Sequence, residues 1–206
     1  MQAVIFDVDG TLLDSTSQDE ALYKLAVEDV LGPVRFRPGL HDYDHVTDSG
    51  ILLQTLADND IAPNDVLIHE VKAAFFQRLR EHIAAQGAFR EIPGAMALLD
   101  RLRDSANHGV AIATGGWAGS AQIKLETAGF DTDRVPLASS DDAIDRTHIM
   151  RFALDALGAP CKGVIYFGDG PWDQDACQRL GWVFRPVGPA LNGLLSFDES
   201  TLELLN

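Results

Sequence analysis

The sequence is poor in cysteine and contains no long apolar run. Cys161 and Cys177 are its only cysteines among 206 residues. A disulfide framework is therefore excluded, and reduced thiols, typical of the cytoplasm, are expected. Because no run reaches about 18 apolar residues, no segment is predicted to span a membrane. The N-terminus lacks the basic region of a signal peptide, so we expect a cytoplasmic protein. With 46% hydrophobic residues, the chain can bury a substantial core.

Positive charge is also scarce. Lysine and arginine contribute 16 residues against 31 aspartates and glutamates, which makes the net charge −15. Such a field repels polyanions, so neither nucleic acid nor an anionic membrane surface is expected as a partner. It also opposes an anionic substrate at long range, so a bound cation would have to reverse the local sign at a site for one. Nothing in the sequence indicates the oligomeric state.

The most informative stretch lies at the N-terminus. The apolar run at residues 4–6 favours a buried strand of a parallel sheet. Asp7 and Asp9 follow directly, and Gly10 ends the strand. Because open α/β folds bind ligands at the carboxyl edge of the sheet, we expect these acids in a ligand site. Two close carboxylates repel each other, and Mg²⁺ would remove that conflict. The alternative is an acidic turn without function.

The run from Phe6 to Leu12, FDVDGTL, resembles the first motif of the haloacid dehalogenase superfamily, in its Mg²⁺-dependent phosphatase branch. The resemblance implies an α/β fold, with a Rossmann-like parallel sheet core, helices on both faces and an inserted α-helical cap domain. It also implies that Asp7 attacks phosphorus, while Asp9 protonates the leaving oxygen and then takes a proton from water. The acid at position 9 favours a phosphatase over a dehalogenase, because a halide leaving group needs no proton.

The order of the predicted elements agrees with such an insertion. Residues 17–87 show helical patterns and no convincing buried strand. Beyond them, helical patterns alternate with three short apolar runs, at residues 110–113, 164–167 and 182–184. Alternation of this kind favours a parallel, helix-covered sheet. We therefore predict a core domain of residues 1–16 and 88–206, and a cap domain of residues 17–87.

The second motif is a glycine-rich turn after the run at residues 110–113. Thr114, Gly115 and Gly116 offer a hydroxyl and backbone amides, which can hold phosphate oxygens at a strand-to-helix turn. The resembled family has Thr or Ser at this position, which matches Thr114. A plain glycine-rich turn is the alternative. Trp117 comes next, and it is a candidate wall of the substrate pocket or, equally, a structural side chain.

The fourth motif is the run GDGPWD at residues 168–173, which matches the Gly-Asp-x-x-x-Asp pattern of the family. The resemblance implies that Mg²⁺ is held by Asp7, by the backbone carbonyl of Asp9 and by Asp169. Asp173 would hold the metal directly or through water, or would orient the cation of the third motif. For Asp173 alone, an ordinary helix N-cap is the alternative.

The third motif of the family is usually a lysine, 20 to 25 residues before the fourth motif, and none lies in that window. Arg146 has this spacing and begins a predicted helix, so we assign the phosphate-binding cation to it. Lys124 and Lys162 are set aside because of their positions in the chain. The alternative for Arg146 is a solvated side chain paired with Asp142 or Asp145.

The resemblance implies a small phosphorylated metabolite as substrate, selected by the cap domain. His45 and Thr47 are candidate substrate-binding residues, with a polar loop as the alternative. Asp48 or Ser49 is the predicted N-cap of the helix that follows. A sugar phosphomutase of the β-phosphoglucomutase type would use the same four motifs, and a non-catalytic binding protein could share the scaffold. Both alternatives stay open at the level of the sequence.

Overall fold

A computed structural model describes residues 1–205 of the chain. Its five strands are β1 Gln2–Phe6, β2 His108–Ala113, β3 Leu137–Ala138, β4 Val164–Gly168 and β5 Val183–Pro186. The described residues also form eight α-helices: α1 Thr16–Leu31, α2 Asp48–Asp58, α3 Asp65–Gln86, α4 Ala95–Arg103, α5 Ala118–Ala128, α6 Arg146–Asp155, α7 Pro171–Leu180 and α8 Glu199–Glu203. The strands form one parallel sheet, in the order β3-β2-β1-β4-β5. This confirms the α/β fold with a parallel sheet.

Strand β1 is the centre of the sheet. Ile5 pairs with Ala111 of β2 on one side and with Tyr166 of β4 on the other. Its apolar run is fully buried, as expected for a strand with neighbours on both sides and helices on both faces. After β1 the chain builds β2 and β3 on one side, then crosses to β4 and β5 on the other. The reversal of strand order at β1 creates a crevice at the carboxyl edge of the sheet.

Helices α1 to α3 lie between β1 and the rest of the sheet in chain order. Helix α1 packs against α3, and α3 also packs against α5. One buried apolar cluster runs from Phe6 in β1 to Leu125 in α5 and on to Phe75 in α3. The predicted cap residues therefore rest on the sheet domain through continuous apolar packing. The boundaries of the core and cap domains stay a prediction.

Local hydrogen bonds determine where the helices begin. The Thr47 hydroxyl accepts a bond of 3.2 Å from the Gly50 amide, so Thr47 is the N-cap of α2, and the prediction of Asp48 or Ser49 was wrong. Asn64 caps α3 by accepting a bond of 2.9 Å from the Leu67 amide. Among residues 1–205, no helix has both the length and the apolarity that crossing a bilayer requires.

Candidate active site

Three adjacent strands end in polar side chains that meet at the carboxyl edge of the sheet. Asp7 follows β1, Thr114 follows β2 and Asp169 follows β4. The Asp7 amide donates a bond of 2.9 Å to the Phe167 carbonyl, which continues the pairing of β1 and β4 to the edge. All three side chains therefore lie on the same crevice, and all three line one cavity.

The carboxylates of Asp7, Asp169 and Asp173 form a compact cluster. One oxygen from each lies within 4.8 Å of the others. Burial, the nearby Asp173 and the nearby Asp169 raise the pKa of Asp7 well above its usual range, although Arg146 lowers it. Burial, Asp173 and Asp9 raise the pKa of Asp169 to about 7. The raised pKa values show that the negative charges of the cluster are not fully balanced by nearby positive charge. Three close carboxylates also provide the hard oxygen ligands that Mg²⁺ accepts.

Gly10 allows the Asp169 carboxylate to approach the first turn after β1. Its φ of 75° lies in the left-handed region, which favours glycine. A Cβ added at this position would also collide with the Asp169 carboxylate. The Thr16 hydroxyl donates to Asp169 Oδ2 over 3.4 Å from the start of α1. Glycine in the first motif is therefore required for the two acidic strand ends to meet.

Arg146 is the cation at the centre of this cluster. Its Nη1 lies 2.8 Å from Asp173 Oδ1 and 3.6 Å from Asp7 Oδ1, and its Nη2 donates to the Val46 carbonyl over 3.0 Å. Burial by itself lowers the pKa of Arg146, but Asp173 and the other groups around it raise the pKa above its usual value. The alternative pairing with Asp145 is not what the structure shows, since the Asp145 carboxylate instead accepts from Thr147 and Arg179.

Asp173 has no freedom to turn away from Arg146. Its carboxylate is fully buried and accepts bonds from Arg146 and from the Gly170 amide, the second over 3.2 Å. The Tyr166 hydroxyl lies 3.3 Å from the same oxygen that Arg146 contacts. Burial raises the pKa of Asp173, and Arg146 opposes that shift. Asp173 therefore holds Arg146 in place, and its carboxylate also lies close enough to those of Asp7 and Asp169 to share a metal ion with them.

The glycine turn after β2 lies beside the guanidinium. Thr114 is buried, and its hydroxyl accepts a bond of 3.0 Å from the Gly116 amide. A Cβ at Gly115 would collide with Arg146 Nη2 and would also lie only 3.0 Å from the Val46 carbonyl oxygen. Thr114, Gly115 and Gly116 all line the cavity next to Asp7. The turn thus places the Thr114 hydroxyl and the Gly115 backbone close to the Arg146 guanidinium.

Lys124 belongs to the site, although its position in the chain does not fit the third motif. Its Nζ lies 2.7 Å from both oxygens of Asp9 and 2.6 Å from Asp19 Oδ1. The Ser15 hydroxyl donates to Asp9 Oδ1 over 2.5 Å. Burial by itself lowers the pKa of Lys124, but Asp19 and Asp9 outweigh burial and raise it. The fully buried Lys124 therefore remains charged and links Asp9 to helix α1, which carries Asp19.

Comparisons with known proteins agree with this arrangement. The family model of the haloacid dehalogenase-like hydrolases matches residues 1–181. The chain belongs to this family. No curated relative matches it. This membership confirms the family that the first motif, at residues 6–12, had indicated.

Solved structures share the fold over nearly the whole chain. A hydrolase from Pseudomonas syringae is 27% identical, with a TM-score of 0.68, over 100% of this chain and 91% of that one. β-Phosphoglucomutase from Clostridium difficile is 14% identical, with a TM-score of 0.73, over 98% and 96%. CbbY from Rhodobacter sphaeroides, in complex with xylulose-(1,5)-bisphosphate, is 19% identical, with a TM-score of 0.65, over 94% and 87%. At such low identities, the last two show the fold alone.

Trp117 occupies a different place in this hydrolase from the pocket wall considered above. Its indole is fully buried in a group of aromatic rings with Tyr23, Phe75 and Phe76. The indole Nε1 donates to Ser49 Oγ over 2.8 Å. Its side chain joins helices α1, α3 and α5, and it is not among the side chains that line the cavity. The structural interpretation of Trp117 therefore fits, and a direct contact of its indole with substrate does not.

The two candidate substrate residues of the cap lie in different surroundings. Thr47 lines the cavity, but its hydroxyl already donates to the Ile144 carbonyl over 3.0 Å while it caps α2. The exposed His45 lines a neighbouring surface cleft together with Asp175 and Arg179. The Thr47 hydroxyl thus has no free hydrogen to donate to a substrate, and His45 does not line this cavity. A role in substrate binding stays a prediction for both.

A spacing signal could have identified Lys124. The buried positions of α5 are Ser120, Ala121, Lys124 and Leu125. Residues spaced i, i+3 and i+4 share one helix face, so this lysine lies on the face that packs against the protein. A buried lysine requires carboxylate partners, and the sequence offers several at strand ends, namely Asp7, Asp9 and Asp169. The spacing therefore indicates that the charge of Lys124 is buried, but it does not show which carboxylates bind the ammonium group.

Proposed function

We propose that this protein hydrolyses the phosphate monoester of a small molecule, with Mg²⁺ and through an aspartyl-phosphate on Asp7. The observation that supports it best is that Asp7, Asp9 and Asp169 line one cavity at the sheet edge, with Arg146 3.6 Å from Asp7. Family membership supports hydrolysis as the reaction class. The Asp7, Asp169 and Asp173 cluster fits the oxygen preference of Mg²⁺.

The first half-reaction transfers the phosphoryl group to Asp7. A carboxylate oxygen of Asp7 attacks phosphorus, the bond from phosphorus to the ester oxygen breaks, and Asp9, in its protonated form, gives its proton to the departing alcohol. The Arg146 guanidinium and the Thr114 hydroxyl hold the phosphoryl oxygens as charge spreads over them. Bound at Asp7, Asp169 and Asp173, Mg²⁺ would supply positive charge to the phosphate and to the carboxylates together.

The second half-reaction returns Asp7 to its free form. Asp9, now deprotonated, takes a proton from a water molecule, and the oxygen of that water attacks phosphorus. The bond between phosphorus and Asp7 breaks, and inorganic phosphate leaves. Val46 and Thr47 line the cavity and are hydrogen-bonded to Arg146 and to the Ile144 carbonyl, respectively, so this segment would limit the access of bulk water to the intermediate.

Turnover of p-nitrophenyl phosphate tests the proposal. We expect release of phosphate that requires Mg²⁺ in the wild type and disappears in Asp7→Asn. The matched control is Asp14→Asn, because the Asp14 side chain is 64% exposed and lies outside the cavity. Activity that survives in Asp7→Asn would contradict the assignment of the nucleophile. Phosphoryl transfer between two positions of a sugar phosphate, without release of phosphate to water, would instead identify a phosphomutase.

A further inference from the structure

The cavity extends from the reaction centre into the cap. Polar groups such as Asp9 and Arg146 line it at the sheet edge, whereas rings and aliphatic side chains from the cap residues form an apolar wall. Those residues are Tyr23, Phe36, Leu40, Tyr43 and Ile51. None of them is exposed. This wall faces the space that the alcohol part of a bound phosphate ester would occupy.

The charged residues of this wall carry no net positive charge. Asp19, Glu20 and Asp48 line it with Lys24 and Arg37, and Lys124 Nζ lies 2.6 Å from Asp19 Oδ1. A second anionic group on the substrate would therefore find no net attraction there. The net charge of the whole chain, −15, repels such a group at long range.

The two cations of the wall already have partners. Lys24 Nζ lies 2.6 Å from Glu20 Oε1, and it also lies over the Phe36 ring at 5.9 Å from the ring centroid. The Arg37 guanidinium makes two bonds to the Asp58 carboxylate, of 2.7 and 3.0 Å. Arg146, the third cation that lines the cavity, is paired with Asp173. Within residues 1–205, every lysine or arginine that lines this cavity is thus engaged by a carboxylate.

We propose that the cap wall binds an uncharged alcohol with an apolar portion, so that the substrate carries no anionic group besides the reacting phosphate. This inference rests on the proposed phosphatase function. A carboxylate or second phosphate would lose its hydration in the cavity and would have to compete with Glu20 and Asp58 for the two cations of the wall. An alkyl or aryl alcohol would bury apolar surface against the rings instead.

Two esters of the same carbon skeleton test the inference. One is the phosphate monoester of 4-hydroxybutanoate, which carries a free carboxylate, and the other is its carboxyl methyl ester, which does not. The two leaving groups are primary alcohols of similar reactivity. The ratio of the two kcat/KM values therefore reports how well the cavity binds the carboxylate compared with the methyl ester. We expect kcat/KM to be at least about tenfold higher for the methyl ester. Equal or better turnover of the free acid would overturn the proposal.

A charge variant tests whether the wall causes the selectivity. Glu20→Gln removes one negative charge and frees Lys24, so we expect kcat/KM for the free acid to rise several-fold relative to the methyl ester. Glu28→Gln is the matched control, because Glu28 is an exposed residue of the same helix that does not line the cavity. An unchanged ratio in Glu20→Gln would overturn the role of the wall.

The two proposals fail in different ways. If neither ester is hydrolysed but p-nitrophenyl phosphate is, the phosphatase function stands and the neutral-alcohol proposal is wrong. If p-nitrophenyl phosphate and both esters fail in the presence of Mg²⁺, the phosphatase function itself is wrong.

Discussion

Lys124 Nζ contacts both carboxylate oxygens of Asp9 at 2.7 Å, although 115 positions separate the two residues. The same ammonium reaches Asp19 of helix α1 at 2.6 Å. A side chain held from two directions has few orientations available, so Lys124 positions the carboxylate that exchanges protons in the proposed reaction. Because Asp19 belongs to a helix that packs on the cap helix α3, the position of Asp9 depends on how that helix lies against the core.

The Lys124→Met variant should impair proton transfer more than phosphoryl binding. We expect kcat on an alkyl phosphate to fall at least about tenfold more than kcat on p-nitrophenyl phosphate, because an alkoxide needs a proton to leave and p-nitrophenolate does not. Steady-state kinetics on the two esters measure the difference. Lys162→Met serves as control, since Lys162 is exposed and distant from the cavity, and Lys124→Arg should restore part of the loss. An equal loss on both esters would leave Lys124 with a structural role only.

Gly115→Ala should displace Arg146. The added methyl would collide with Arg146 Nη2 and crowd the Val46 carbonyl, so the guanidinium must shift. We expect kcat/KM on p-nitrophenyl phosphate to fall by about tenfold to a hundredfold. Gly116→Ala is the matched comparison, because its methyl would meet neighbours only at 3.4 Å or more. A loss in Gly116→Ala as large as that in Gly115→Ala would contradict this explanation.

Arg146 should matter both for activity and for stability. Arg146→Ala leaves the fully buried Asp173 without its cation, and we expect a loss of about 3 kcal/mol in the free energy of unfolding without Mg²⁺. Arg146→Lys keeps the charge but loses the forked contact with Asp173 and Val46, so it should restore stability more than activity. Urea unfolding and p-nitrophenyl phosphate turnover measure the two quantities. Wild-type turnover in Arg146→Ala would show that the third motif is assigned to the wrong residue.

The stability of the metal-free protein should fall as the pH rises from about 4 to about 7. Burial, with Asp173 and Asp9, raises the pKa of Asp169 to about 7, so the folded state retains a proton that the unfolded state has already released. The folded state is then favoured at low pH, and this advantage is lost as the pH rises through 7. With a chelator present, we expect Tm to be about 3 °C or more lower near pH 8 than near pH 5.

Asp169→Asn provides the matched variant for this pH effect. It removes the titrating group, so the difference in Tm between the two pH values should shrink. Added Mg²⁺ near pH 8 should raise the Tm of the wild type more than that of the variant, because the ion binds the ionised carboxylates of the folded state. A wild-type Tm that instead rises with pH in the presence of chelator would count against an acidic cluster of this kind.

Local sequence determined the sheet and the strand-end residues of this protein. The apolar run before Asp7 predicts a buried central strand, since such a run can be solvated on neither face. The carboxyl ends of parallel strands share one edge, so the positions of Asp7, Thr114 and Asp169 along the chain already predict their meeting. The spacing of Arg146 matches the third motif of the family, and its contact with Asp173 was among the roles that the resemblance implied. Family membership and the α/β fold follow from these same local patterns.

Tertiary structure decided which polar groups are paired and which face the cavity. The partners of Lys124 lie 115 and 105 positions away, and no helical or strand period relates residues at such distances. Trp117 follows a candidate phosphate loop directly, yet the packing of three helices places its ring in the core. Thr47 lines the cavity, but its hydroxyl accepts a bond from the Gly50 amide at the start of α2 and donates to the Ile144 carbonyl. Local sequence determines the secondary structure and which residues of a helix or strand are buried. Contacts between distant segments depend on how the completed helices and strands pack.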